Sequence, residues 1–120
     1  MSDKYITLEE KINSIIDFME NNQYGYKYHF ESKHNEDKYI LTKSIKYKPN
    51  TFTEFSIKLV HCNYNTEYSF KLITSYGEYS EGSITLYKFD KINVDLIEKY
   101  LINAQEYERK LLAKYRGYWK

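Results

Sequence analysis

Phe55, Ile57, Leu59 and His61 occupy every second position of one half of the stretch Phe52 to Ser75, with Glu54, Ser56 and Lys58 among them. Tyr68, Phe70, Leu72 and Thr74 repeat the rhythm in the other half, against Glu67, Ser69 and Lys71. Successive side chains of a strand point to opposite faces, so two period-two runs predict two strands, each with one buried face. Asn63-Tyr64-Asn65-Thr66 separates them, and asparagine tolerates the left-handed backbone that a tight turn needs. This hairpin is expected at the centre of a sheet, as scaffold. His61 and Cys62 are neighbours on one strand and therefore face opposite ways, which denies them a catalytic dyad.

The flanking chain supplies the rest of the sheet and its cover. Thr7-Leu8-Glu9-Glu10 has the form of a capping box and opens a helix over 8–21, with Leu8, Ile12, Ile15, Ile16 and Met19 at helical spacing. Tyr24 to Phe30 sets four aromatic residues against Gly25, Lys27 and His29, which predicts a strand over 24–31 with Ser32 to Asp37 as a loop. A second strand is expected over 38–48, with Tyr39, Leu41, Ile45 and Tyr47 on one face and Lys38, Ile40, Thr42, Ser44, Lys46 and Lys48 on the other. Lys48-Pro49-Asn50-Thr51 is a turn preset by the only proline.

The hairpin strands fall at 53–62 and 67–76. Either Gly77-Glu78 or Glu81-Gly82 closes the next turn, with Glu81-Gly82 preferred and Gly77 left as a bulge, giving a fifth strand over 83–89. Asp90 or Asn93 caps a last helix over 93–116, stopped by Gly117, with an aromatic and basic tail over 117–120. Val94, Ile97, Tyr100, Leu101, Ala104, Leu111, Leu112 and Tyr115 form its apolar stripe. Asp95 with Lys99, and Glu106 with Lys110, form supporting pairs on its solvent side. Glu108 interrupts the stripe and needs a Tyr hydroxyl or Lys from the sheet, or else a partner contact. The order predicts a single α+β domain: an N-terminal helix, a five-stranded, mainly antiparallel meander, and a C-terminal helix packed on the sheet.

Composition bounds the function. The 120 residues carry 18 basic and 17 acidic side chains, a net charge of +1. That balance excludes a strongly acidic DNA mimic and a protein that coats duplex by charge alone. No apolar run is long enough to cross a bilayer, the first five residues lack a signal-peptide core, and Cys62 is the only cysteine. A cytoplasmic protein is therefore expected. The four glycines stand too far apart for a phosphate-binding loop. His34-Asn35-Glu36-Asp37 has no second cluster to complete a metal site. No catalytic residues, metal or cofactor are expected.

Basic and aromatic residues remain as candidates. Lys38 to Lys48 holds four lysines and no acid, and Arg109 to Lys120 holds five basic residues and no acid. Tyr115, Arg116, Tyr118 and Trp119 belong to the residue types most enriched in binding hot spots. Candidate partner-binding residues are thus Tyr115, Arg116, Tyr118, Trp119, Lys38, Lys46, Lys48 and Glu108. The expected function is a small non-enzymatic protein-binding module: a stoichiometric inhibitor or immunity-type protein that occludes a larger target. The Lys, Asn, Ile and Tyr content suggests a phage or mobile element of AT-rich composition. The alternative is a single-stranded nucleic-acid binder, which needs Lys38, Lys46 and Lys48 on one surface with Arg109, Lys110, Lys114 and Arg116. A homodimer through the tail or an edge strand is compatible with both.

Overall fold

The computed structural model describes residues 7–62, 68–77 and 82–119. Thr7 caps the first helix, α1 (Leu8–Glu20), and both halves of the predicted capping box are present. Ile12, Ile15 and Met19 form its buried stripe. Five strands follow: β1 (Lys27–Lys33), β2 (Glu36–Lys48), β3 (Thr51–Cys62), β4 (Phe70–Tyr76) and β5 (Ser83–Tyr87). They form one antiparallel sheet in sequential order, so β3 of the predicted hairpin is its central strand. The second helix, α2 (Val94–Lys114), is capped by the Asn93 side chain, which accepts from the Leu96 amide at 2.8 Å.

Both helices lie on one face of the sheet. Ile97, Leu101 and Ala104 of α2 join the α1 stripe over Leu41, Phe55, Ile57, Leu59, Phe70 and Leu72, all buried. The fold class expected from the sequence is the one observed.

Local departures have local causes. The first strand begins at Lys27, three residues later than predicted, because Gly25 turns the chain with a φ of +85°. The Asn22 carboxamide ties this connection: its oxygen accepts from the Tyr24 and Tyr26 amides, and its nitrogen donates to the Met19 and Tyr26 carbonyls. The predicted loop Ser32 to Asp37 is instead a two-residue hairpin. His34 and Asn35 take φ values of 51° and 64°, and Lys33 pairs with Glu36. Two consecutive positive φ values match the right-handed twist of the flanking strands. Pro49 and Asn50 make the next turn, with Asn50 left-handed at φ 59°.

Thr74 pairs with Ser83, which is not the pairing that the preferred two-residue turn Glu81-Gly82 would give Ser83, and Glu78 of the alternative turn lies outside the described residues. Gly77 is needed for another reason. Its φ is +81°, and a Cβ there would stand 2.6 Å from Thr53 Oγ1. The predicted turn Asn63-Tyr64-Asn65-Thr66 lies outside the described residues, as does Glu81. The α2 helix ends at Lys114, before Gly117. A 3₁₀ turn over Arg116–Trp119 follows, and Gly117 is not left-handed. No helix of the described residues is long and apolar enough to cross a membrane.

Candidate interaction surface

Period two gives the sheet a second face, and neither helix covers it. The register sets two rows across all five strands: His29, Ile40, Lys58, Ile73 and Ile84, and beside it Glu31, Lys38, Val60, Lys71 and Leu86. Ile40 and Val60 are nonetheless buried, at 3% and 1% exposure. Lys58 stands directly opposite Ile40, while Lys38 and Lys71 flank Val60. Long lysine stems shield apolar neighbours while their ammonium groups stay in water. Toward β5 that shielding ends: Ile84 and Leu86 are 66% and 54% exposed.

The charge of this face is unevenly compensated. Lys71 Nζ lies 3.5 Å from Glu36 Oε2, and His29 lies 3.5 Å from Glu31. No carboxylate of the described residues stands within ion-pairing distance of Lys38 or Lys58. The open face thus carries lysines around an aliphatic floor that becomes bare at one edge.

The expected lysine row is split. A register shift between Lys46 and Lys48 puts one extra residue opposite the Thr51–Phe52 step. Lys46 then faces Phe52 on the open side, while Lys48 faces Thr51 on the helix side. A bulge re-aims a side chain in this way. Lys48 Nζ lies 5.2 Å from the ring centroids of both Tyr115 and Tyr118 and 5.6 Å from that of Tyr47. Lys38 and Lys46 therefore lie across the sheet from Arg109, Lys110, Lys114 and Arg116, and only Lys48 joins the C-terminal group. Among the described residues, the two basic groups expected on one surface thus lie on opposite faces of the sheet, apart from Lys48.

Much of the tail belongs to this chain's own packing. Tyr47, only 2% exposed, meets Tyr115 edge-on at 5.0 Å, and Tyr118 lies 5.7 Å from Tyr115. Lys114 Nζ also sits over Tyr115, at 5.6 Å. Tyr118 remains 58% exposed, and Arg116 is exposed. The Trp119 side chain lies outside the described residues.

Glu108 faces inward to a lysine absent from the candidate set. Lys43 Nζ donates to Glu108 Oε1 at 2.9 Å and to the Tyr24 carbonyl at 3.1 Å. The two side chains keep 26% and 20% exposure. Lys43 projects from the helix face of β2, between Leu41 and Ile45. Nearby, the Tyr26 hydroxyl is buried with no hydrogen-bond partner among the described residues. Burial, and then the Glu108 charge, push its phenol well above the usual tyrosine range. Glu108 is thus engaged within the fold.

On α2, Glu106 pairs with Arg109. An open groove of about 440 Å³ between α2 and the β4–β5 side includes Thr74, Tyr76, Ser83, Tyr100 and Tyr107. The hydroxyls of Thr74, Ser83 and Tyr100 are already engaged, Thr74 with Ser83 at 2.7 Å and Tyr100 with Tyr87 at 2.7 Å. His61 stacks on Phe70 on the helix face, whereas Cys62 Sγ donates to Glu36 at 3.5 Å on the open face. Burial first, and then the Glu36 bond, push the thiol up, away from a reactive thiolate. The described residues contain no group of three or more His, Cys, Asp or Glu suited to a metal ion.

Lys58, Lys71, Ile73, Ile84 and Leu86 are absent from the candidate set that the sequence suggests. For Ile73 the signal in the sequence is an apolar residue at a position where the alternation calls for a polar one, since it falls out of phase with Phe70, Leu72 and Thr74. Comparison of the chain with protein-family models, curated proteins and solved structures finds no match.

Proposed function

We propose that this chain is a non-enzymatic protein-binding module of the cytosol that holds an acidic protein surface against the open face of its sheet. The carrying observation is that face itself: Lys38, Lys58 and Lys71 around Val60, with Ile73, Ile84 and Leu86 continuing as an aliphatic strip. An interface of this kind gains affinity from the buried aliphatic centre and steering from the charged surround. The reading extends to a stoichiometric inhibitor, which occludes its target by covering it. Single-stranded nucleic acid fits less well, because stacking needs rings and cations on one accessible surface. Here Tyr24, Tyr26, Tyr28, Tyr39, Tyr76, Tyr87 and Tyr100 pack against the core on the helix side. On the open face Lys38, Lys58 and Lys71 stand beside Val60, Ile40, Ile73 and Leu86, and the exposed ring of Phe52 lies under Lys46 instead.

The test uses the full chain as bait in three forms: native, Lys38→Glu/Lys58→Glu/Lys71→Glu, and Arg109→Glu/Lys110→Glu on the helix side. The expected result is a 1:1 complex by native mass spectrometry, salt-sensitive, lost in the first variant and kept in the second. Capture that ignores the open-face variant, or tight binding of single-stranded oligonucleotides, overturns the reading.

A further inference from the structure

The two edges of the sheet are built differently. Strand β1 carries Lys27, His29, Glu31 and Lys33 on its open-face positions, and charged side chains discourage another chain from adding to an edge. Strand β5 reads Ser83-Ile84-Thr85-Leu86-Tyr87, without charge, proline or glycine. Residues 83–86 are exposed, and α2 packs over β2, β3 and β4. Of the three helix-side residues of β5, Ser83 is engaged by Thr74 and Tyr87 by Tyr100, while Thr85 between them is exposed. Among the described residues no strand pairs with the outer side of β5, so this edge offers its backbone and the aliphatic pair Ile84 and Leu86.

We propose that β5 pairs antiparallel with β5 of a second copy about a two-fold axis at Thr85, joining two five-stranded sheets into one continuous sheet. The strand chemistry selects this occupant and this register. In two identical strands the outward-pointing amides and carbonyls recur at residues of one parity, so hydrogen bonds form only between residues of like parity. Of the registers that satisfy this rule, the one centred on Thr85 pairs all five residues of β5. It sets Ile84 of each copy opposite Leu86 of the other on the open face, and Ser83 opposite Tyr87 on the helix side. The exposed aliphatic pair is therefore self-complementary, as an isologous contact requires. A five-residue edge buries less than a standard interface, so a weak association is expected, to be sought over roughly 1–1000 μM. The dimer does not depend on the proposed partner: it lengthens the lysine-bearing face and leaves Lys38 and Lys58 uncovered.

Sedimentation equilibrium of the full chain across this concentration range tests the association. The mass is expected to rise from 14.6 kDa toward twice that value. Ile84→Lys, at a side chain already in water, is expected to weaken association at least tenfold, with the circular dichroism spectrum unchanged. His29→Lys on the opposite edge is expected to leave association as it was. The register has its own readout. Thr85→Cys sets two thiols across the axis at the Cα spacing of a directly opposed strand pair, which lies within disulfide range, so oxidation yields a covalent dimer. Leu86→Cys yields far less, because its opposite neighbour is Ile84. A chain that stays at 14.6 kDa throughout the range, or a dimer indifferent to Ile84→Lys, overturns the proposal. Equal cross-linking by the two cysteine variants overturns the register.

Discussion

Lys43 Nζ lies 2.9 Å from Glu108 Oε1, and this one contact joins the helix face of β2 to the C-terminal half of α2. Each residue alone breaks an apolar pattern, Lys43 between Leu41 and Ile45 and Glu108 within the α2 stripe. Together they neutralise each other, and the Tyr24 carbonyl accepts a second ammonium hydrogen at 3.1 Å. Gly25 permits the approach, since a Cβ there would meet Lys43 Cε at 3.3 Å.

Removing one member strands the other. Lys43→Ala is expected to destabilise the fold by about 2 kcal/mol, below the ~3–5 kcal/mol of a fully buried pair because both groups retain some water. The double variant Lys43→Met/Glu108→Leu is expected to recover most of that loss. Urea unfolding of the native, single and double variants gives the comparison. A single variant as stable as the native chain would show that the pair contributes nothing.

Gly77 and Gly117 make an opposed pair of tests. Gly77→Ala forces a side chain onto a left-handed backbone and against Thr53, and is expected to cost more than ~1 kcal/mol. Gly117 has no neighbouring atom within 4 Å of a built Cβ and is not left-handed. Gly117→Ala is expected to stay within ~0.5 kcal/mol of native stability. Thermal melts of both variants decide the matter.

Alkali is expected to unfold this protein through its tyrosines. Burial pushes the Tyr39 phenol up to about 12, and burial with the Tyr100 hydrogen bond pushes Tyr87 up to about 12. Tyr24, Tyr28 and Tyr76 are raised as well, burial being the first cause in each. The ordinary value of each of these phenols is 10.0. A proton held by the folded state and released by the unfolded one makes stability fall as pH rises. The contribution is thus complete below pH ~10 and is lost progressively between ~10 and ~12. Spectrophotometric titration of phenolate absorbance, followed beside circular dichroism, is expected to show these groups ionising together with unfolding. Smooth ionisation of every tyrosine near the ordinary value in a folded chain contradicts this.

The tail separates into a packed and an exposed ring. Tyr115→Ala removes a half-buried ring from Tyr47 and Lys48 and is expected to cost about 1–2 kcal/mol. Tyr118→Ala removes a ring that is 58% exposed, with an expected change within ~0.5 kcal/mol. Denaturant midpoints of the two variants distinguish them, and equal effects would contradict the packing described.

Alternation and spacing, both local properties, were enough to place two amphipathic helices and five strands, and short connections between the strands pointed to an antiparallel meander. Thr7 and Glu10 marked a helix start, Pro49 and Asn50 a turn, and the out-of-phase Glu108 a residue that needed a partner. Each signal lies within a few residues of what it controls. The partner of Glu108, the side of the sheet on which Lys48 ends, and the two rows of the open face depend on register and on one bulge. Those are relations between strands, and a shift of a single residue exchanges the two faces of a strand. The sequence alone therefore determined which residues form the layers. Only the tertiary structure decided that Lys43 meets Glu108, that Tyr115 packs on Tyr47, and that Lys38 and Lys71 flank Val60, because each contact joins strands or helices that pairing and packing bring together.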